Sequence, residues 1–253
     1  MYIAVSSWSL RDHVNKDFSL PQMAGFVKDR YGVNAVELCS MHFRNTDSAY
    51  LDEIKRELQE AQASVVNMPV DTGNISNREE RKRNFDLKVI KLWMDIAAYI
   101  GSPSIRVNTG MQEPPYDLSI TAASYKELAD YGEKVGVKVL LENHGGLSAD
   151  PNNIVGLFEQ VNSPYFRSCP DFGNFAPDIR YEGLQKIAKY ADIAHAKTYD
   201  FDENGEVAEF DFKKCLDILK ESGFDGCLSV EFEGRGDQYE GVRRTIELIK
   251  KYW

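Results

Sequence analysis

Along the chain one pattern of apolar and polar positions recurs. A stretch with helical periodicity runs up to a glycine, a β-branched apolar run follows, and that run gives way to polar residues before the next helix. Gly32 leads into residues 33–38, Gly101 into 104–108, Gly136 into 137–142 and Gly223 into 224–231. Glycine just past a helix end takes a left-handed conformation at no Cβ cost, so it hands a helix over to a strand. Four fainter copies, at 3–8, 63–68, 166–171 and 193–197, bring the strand candidates to eight. Eight helical stretches accompany them, at about 19–31, 50–63, 77–100, 120–136, 152–161, 180–190, 212–222 and 238–252. The longest, 77–100, places Phe85, Val89, Leu92, Ile96 and Ile100 at i, i+3/i+4 spacing, a stripe of the kind that faces a core.

Strand and helix alternating eight times predict a parallel sheet with crossover helices. The chain has 253 residues, close to the roughly 250 that one (β/α)₈ TIM barrel uses. No composition shift or Pro/Ser-rich linker interrupts it, so the expectation is an α/β fold, a single TIM-barrel domain over residues 1–253. Thirty basic against 40 acidic residues make the net charge −10, which argues against nucleic acid as a partner, because that affinity comes from Lys and Arg neutralising phosphates. Residues 78–83 look basic but open the long helix with mixed signs, and read as a solvated face. The four cysteines, Cys39, Cys169, Cys215 and Cys227, have no C-x-x-C spacing and read as reduced, buried thiols. With no basic, apolar leader at the N-terminus and no apolar run of about 20 residues, the expectation is a cytoplasmic protein without a membrane partner. Nothing in the pattern sets the number of subunits.

Side chains alternate faces along a strand, and in a barrel the outward face meets helices and should be apolar. Val139 and Leu141 then point out and Leu140, Glu142 and His144 in. Val36 and Leu38 point out and Glu37 in. Ile105 and Val107 leave Arg106 and Asn108 inside, Ala194 and Ala196 leave His195 and Lys197, and Leu228, Val230 and Phe232 leave Ser229, Glu231 and Glu233. Barrel active sites form at the C-terminal ends of the strands, so these polar inward residues are site candidates. Strands five to eight end in Glu142, Asp171, His195 and Glu231. Three carboxylates on one mouth must either be partly protonated or share a cation. A carboxylate-rich set with one nitrogen favours Mn²⁺ or Co²⁺, with Mg²⁺ and Zn²⁺ also compatible. Taken singly, each carboxylate would read as a salt-bridge partner and the histidine as a core residue.

Four segments resemble the xylose-isomerase-like TIM-barrel superfamily, and within it the sugar-phosphate isomerase/epimerase group. They are Leu140-Leu141-Glu142-Asn143-His144-Gly145-Gly146, Pro170-Asp171-Phe172-Gly173-Asn174, Ala194-His195-Ala196-Lys197 and Ser229-Val230-Glu231-Phe232-Glu233-Gly234. The resemblance implies one divalent metal ion on Glu142, Asp171, His195 and Glu231, with Glu142 and Glu231 as the catalytic pair on opposite sides of a sugar. It implies proton transfer through an enediolate, the ion stabilising developing negative charge. Two positions depart from epimerases of free ketoses in the superfamily, which carry a His three residues after the strand-six Asp, here Asn174, and an Arg past the strand-seven His, where this chain has Thr198-Tyr199-Asp200-Phe201. The related repair endonucleases hold three zinc ions on many histidines. This chain has His13, His42, His144 and His195 alone, and its third strand ends without one.

Further candidates for substrate binding are Trp8, Glu37, Arg106, Asn108, His144 and Lys197. Trp8 either walls the sugar or fills the barrel, His144 either contacts a hydroxyl or supports the site, and Lys197 either meets an enediolate oxygen or phosphate or pairs with a carboxylate. His13 and His42 fall in loops after strands one and two and read as solvated. Gly205 marks a turn in an excursion after strand seven. With no phosphate-binding glycine motif, a nucleotide cofactor is not indicated. The functional expectation is a metal-dependent isomerase or epimerase of a sugar or sugar phosphate. Its rivals are a metal-dependent lyase or dehydratase on a keto-sugar or keto-inositol and a non-catalytic sugar-binding barrel. Replacing Glu142 or Glu231 by Gln is expected to abolish turnover at little cost in stability.

Overall fold

The computed structural model describes residues 1–253. Eight strands, β1 (Tyr2–Ser6), β2 (Ala35–Glu37), β3 (Ser64–Val70), β4 (Ser104–Val107), β5 (Lys138–Glu142), β6 (Phe166–Cys169), β7 (Ile193–Thr198) and β8 (Cys227–Phe232), are all parallel. Between and after them run α1 (Met23–Tyr31), α2 (Ser48–Glu60), α3 (Glu80–Ile100), α4 (Leu118–Val135), α5 (Pro151–Val161), α6 (Arg180–Ala188), α7 (Phe212–Glu221) and α8 (Gln238–Tyr252). Strands pair in chain order from β1 to β6, and β8 pairs with both β1 and β7. Between β6 and β7 the pairing shrinks to the bridges Ser168–Ala191 and Asp171–His195, which bring the sheet round into a nearly closed TIM barrel. Each expected strand and helix is present, with ends displaced by a few residues. Left-handed glycines stop the helices where the sequence placed them, as at Gly101 (φ 85°) and Gly136 (φ 75°). The turn at Gly205 lies in a short excursion closed by a Phe201–Val207 bridge.

The predicted alternation holds, and it sorts the core in two. Ala4, Ala35, Val66, Leu140, Cys169, Ile193 and Cys227 pack together inside the barrel. Their neighbours of opposite parity, among them Val5, Val36, Val139, Leu141, Ala194 and Leu228, join the larger core between sheet and helices. Two residues further along, the inward positions of six strands carry Ser6, Glu37, Glu142, Asp171, His195 and Ser229. A small apolar floor therefore underlies a polar upper layer, made by period-two alternation alone. All four cysteines are free and buried. No helix is long and apolar enough to cross a membrane.

Two local expectations are corrected. On α3 the buried residues are Leu87, Ile90, Met94, Ala97 and Ile100, while Phe85 and Leu92 are 66% and 61% exposed. Of the stripe read from the sequence only Ile100 is buried. Helical spacing defined two apolar faces on this helix, and packing against β3 and β4 selected the other. In β3, Val36 pairs with Val65 but Glu37 pairs with Asn67, so one extra residue is accommodated at Val66. This turns Asn67 inward, where its Nδ2 donates to Glu37 Oε2 at 2.9 Å.

Gly132 on α4 separates two opposing effects. Helix propensity alone favours Gly132→Ala by about 1 kcal/mol. A Cβ there would stand 2.2 Å from the Val137 carbonyl oxygen, where the chain enters β5. Backbone on both sides leaves little room to relax, so net destabilisation of about 1–3 kcal/mol is expected. It would be read as a lower urea midpoint at unchanged m-value; a higher midpoint would refute it.

Candidate functional site

The ends of β5, β6, β7 and β8 deliver Glu142, Asp171, His195 and Glu231 to one place, each 5% exposed or less. One ligand atom from each lies within 4.8 Å of every other. His195 stands at the centre. Its Nδ1 is 3.0 Å from Glu142 Oε1, 3.6 Å from Glu231 Oε2 and 3.8 Å from Asp171 Oδ2. Its Nε2 faces the other way, 3.2 Å from Glu37 Oε2. Glu37 is held in turn by Asn67, whose Oδ1 accepts from Ser104 Oγ at 2.8 Å. A buried carboxylate on one ring nitrogen orients the other, the arrangement common behind metal-binding histidines.

Asp171 is fixed on every side but one. Asn143 Oδ1 accepts its backbone N–H at 2.8 Å and Asn143 Nδ2 donates to its carbonyl at 3.0 Å. The N–H groups of Gly173 and Asn174 donate to its Oδ1 at 2.7 and 2.9 Å. Its Oδ2 has no hydrogen-bond partner, and neither do Glu142 Oε2 and Glu231 Oε2. Cations stand near all three, Arg106 Nε at 3.0 Å from Glu142 Oε2 and Lys197 Nζ at 3.2 and 3.1 Å from Asp171 Oδ2 and Glu231 Oε2, but without hydrogen-bond alignment. Buried polar atoms are rarely left without a partner, and those that are call for an ion, a water or a chemical role. Glu142 through Oε1, Asp171 through Oδ2 and Glu231 through Oε2 converge on one imidazole nitrogen, a set that fits a divalent cation with a preference for oxygen and nitrogen donors.

Charge in the layer is heavily coupled. Burial opposes ionisation of Glu142, but Arg106 and then His195 hold its carboxyl below the usual carboxylate range. Glu231 is likewise opposed by burial and held low by Lys197 and His195. For Asp171 burial wins: with Glu231 and Glu142 close by, its pKa rises well above the ordinary value despite Lys197. Burial works against charge on His195 as well, yet the acidic groups around it, Cys169, Glu231, Glu37 and Glu142, raise its pKa well above that of a free histidine. Lys197, disfavoured as a cation by burial, is raised by Asp171, Glu231, Glu142 and Glu233. It is therefore an ammonium, not a free amine available for imine chemistry.

The remaining sequence-predicted residues take different places. Arg106 is 5% exposed and bridges Glu142 and Asp71. Lys197 meets Asp171, Glu231 and Glu233 and donates to Asn174 Oδ1 at 3.0 Å, so ion pairing accounts for its contacts. Trp8 is half-buried, its Nε1 donating to Glu233 Oε1 at 2.7 Å. Glu37 is wholly buried against His195 and Asn67. Asn108 and His144 line a cavity of about 500 Å³ between the loops after β4 and β5. His13 and His42 are less solvated than expected: His13 pairs with Asp17 at 2.6 Å and stacks on Tyr239, and His42 lies 2.9 Å from Ser7 Oγ. The mixed-sign opening of α3 is solvent-facing, with Lys82 paired to Glu79.

Several site residues carried no signal that alternation could read. Asn174 bridges the layer, its Nδ2 3.3 Å from Glu142 Oε1 and its Oδ1 on Lys197, but it sits in a loop. Asp71 lies just past β3, and Asn67 turns inward through the irregularity at Val66. Asn143 has outward parity and contacts the site through the Asp171 backbone.

Residues 28–252 match the family model described as xylose isomerase-like TIM barrel. Uncharacterized protein MJ1311 of Methanocaldococcus jannaschii is 26% identical over 208 residues, covering 74% of this chain and 69% of that protein. The solved structure of IolI protein with a bound zinc atom superposes with a TM-score of 0.80 at 19% identity, covering 100% of this chain and 99% of that one. An L-ribulose 3-epimerase superposes with a TM-score of 0.79 at 14% identity, covering 99% and 94%. At such identities the two structures speak for the fold. The family match spans nearly the whole chain, and the chain belongs to the xylose isomerase-like TIM-barrel family.

Proposed function

We propose that the chain is a divalent-metal-dependent isomerase or epimerase acting on an unphosphorylated sugar by proton transfer at a carbon beside a carbonyl. The observation that carries this reading is the convergence of one ligand atom from each of Glu142, Asp171, His195 and Glu231 within 4.8 Å, with one buried oxygen of each carboxylate left without a hydrogen-bond partner. Those four residues would hold the ion. When bound, it supplies a Lewis acid that polarises a carbonyl and favours negative charge on its oxygen. Glu142 and Glu231, on separate strands and 3.0 and 3.6 Å from His195 Nδ1, supply two carboxylate bases. One takes a proton from carbon and the other, facing it across a bound sugar, returns one. Arg106 and Lys197 keep these carboxylates ionised in a buried setting, and Trp8, tied to Glu233, shields the mouth from water. The relatives support the reading by what their descriptions name: an L-ribulose 3-epimerase and a zinc-binding IolI.

Charge argues for a neutral substrate. Glu37, Asp71, Glu142, Asp171, Glu231 and Glu233 face two cations, Arg106 and Lys197, both already engaged by carboxylates. Apart from the ion itself, a phosphate dianion would find no free positive side chain here and several carboxylates to repel it.

The test is solvent exchange. Protein loaded with Mn²⁺ and incubated with a panel of ketoses in D₂O is expected to place deuterium at the carbon beside the carbonyl, without loss of water or of a glycosidic group. Elimination products would support a lyase. Retained metal with no exchange on any sugar would leave a sugar-binding barrel as the better account.

A further inference from the structure

We infer that the cavity between the loops after β4 and β5 is a subsite for a second, uncharged sugar unit. The preferred substrate is then a keto-sugar carrying a glycosidic substituent rather than a free monosaccharide. This rests on the sugar-site reading above and specifies it.

Two of the cavity's lining residues continue the strands that carry the candidate site. Asn108 stands two residues past Arg106, whose Nε lies 3.0 Å from Glu142 Oε2, and His144 stands two past Glu142 itself. Its volume, about 500 Å³, falls in the range of small-ligand pockets. No lysine or arginine lines it and Glu113 is its one carboxylate, so a phosphate, nucleotide or carboxylate extension has nothing to pair with.

Some of the cavity's polar side chains are already committed and others are free. Gln112 is committed to the Ser76 and Asp117 backbones, and Ser148 Oγ to the His144 N–H and the Gly145 carbonyl. Asn108 keeps a buried Oδ1 with no partner. The His144 ring also lies on the lining, one turn of the strand pleat beyond Glu142. Met111 and Tyr116 supply large apolar surface to the lining, Met111 being 80% exposed, and suit the carbon face of a sugar ring. The floor is kept open by glycines in left-handed conformations. A Cβ on Gly145 would meet nothing within 4 Å, and one on Gly146 would meet only the Gly110 carbonyl oxygen at 3.8 Å.

Calorimetry on Mn²⁺-loaded protein tests this with D-fructose and D-tagatose against the ketose disaccharides turanose, palatinose and lactulose. At least one disaccharide is expected to bind tenfold or more tighter than either monosaccharide. Gly146→Asn, at a φ of 53° that asparagine tolerates, adds a side chain to the cavity lining. It is expected to remove that advantage while monosaccharide Kd stays within twofold. Met111→Asp, at an exposed rim position, is expected to act in the same direction without touching the backbone. Equal affinity for both sugar classes, or an advantage that survives both substitutions, overturns the subsite and leaves the sugar-site reading standing. Retained Mn²⁺ with no sugar bound at all overturns both.

Discussion

Turnover in Glu142→Gln and in Glu231→Gln is expected to fall by about 10²–10⁴-fold each, the usual contribution of a positioned acid–base group. Deuterium exchange at the carbon beside the carbonyl is the assay, since it reads the proton step without needing the final product. Wild-type exchange in both variants would remove the two-glutamate mechanism. The two substitutions should differ in stability, which the sequence did not foretell. Glu142 neutralises Arg106, a guanidinium 5% exposed, and contacts His195. The amide would leave Arg106 with Asp71 as its counter-ion, and a loss on the order of 1–3 kcal/mol is expected. Glu231 shares Lys197 with Asp171 and Glu233, so removing one negative charge leaves that ammonium paired and relieves crowding. Thermal midpoints should therefore separate the variants, with Glu142→Gln the lower.

Metal retention is the second large effect, and its ranking is diagnostic. His195→Ala and Asp171→Ala each delete a ligand and are expected to abolish stoichiometric Mn²⁺ retention. Glu37→Gln touches none of the proposed ligand atoms, yet it alters the group on His195 Nε2 at 3.2 Å. Such outer partners typically contribute 10–100-fold in metal affinity, and a loss of that size is expected in competition with a chelating indicator. Glu37→Asp, which keeps the charge but shortens the reach, should fall between Gln and wild type. Unchanged affinity in Glu37→Gln would return Glu37 to a direct role with substrate. Equal affinity in His195→Ala would show that the ion binds elsewhere.

These expectations depend on features of unequal legibility. The floor and the polar layer were readable because a strand has a period of two: a residue that follows Leu140, Cys169 or Ile193 by two positions must share its face. Glu142, Asp171 and His195 could therefore be placed from sequence alone. The irregularity at Val66 could not, since one inserted residue reverses parity without changing composition. That is why Asn67, and through it the hold on Glu37, was missed. The stripe on α3 failed for another reason. The helix has apolar residues on two faces, and its spacing does not say which will meet the sheet.

By itself, the amino-acid order determined the eight-fold alternation, the barrel it closes into, and the four strand ends that carry Glu142, Asp171, His195 and Glu231. These follow from local periodicities and chain length. Only the tertiary structure decided how side chains from different strands and loops pair: Glu37 behind His195, Arg106 between Asp71 and Glu142, Asn174 between Glu142 and Lys197, and a cavity without lysine or arginine beside His144. Those choices rest on through-space distances and on competition among buried charges, quantities set by closure of the barrel and not by any window of sequence.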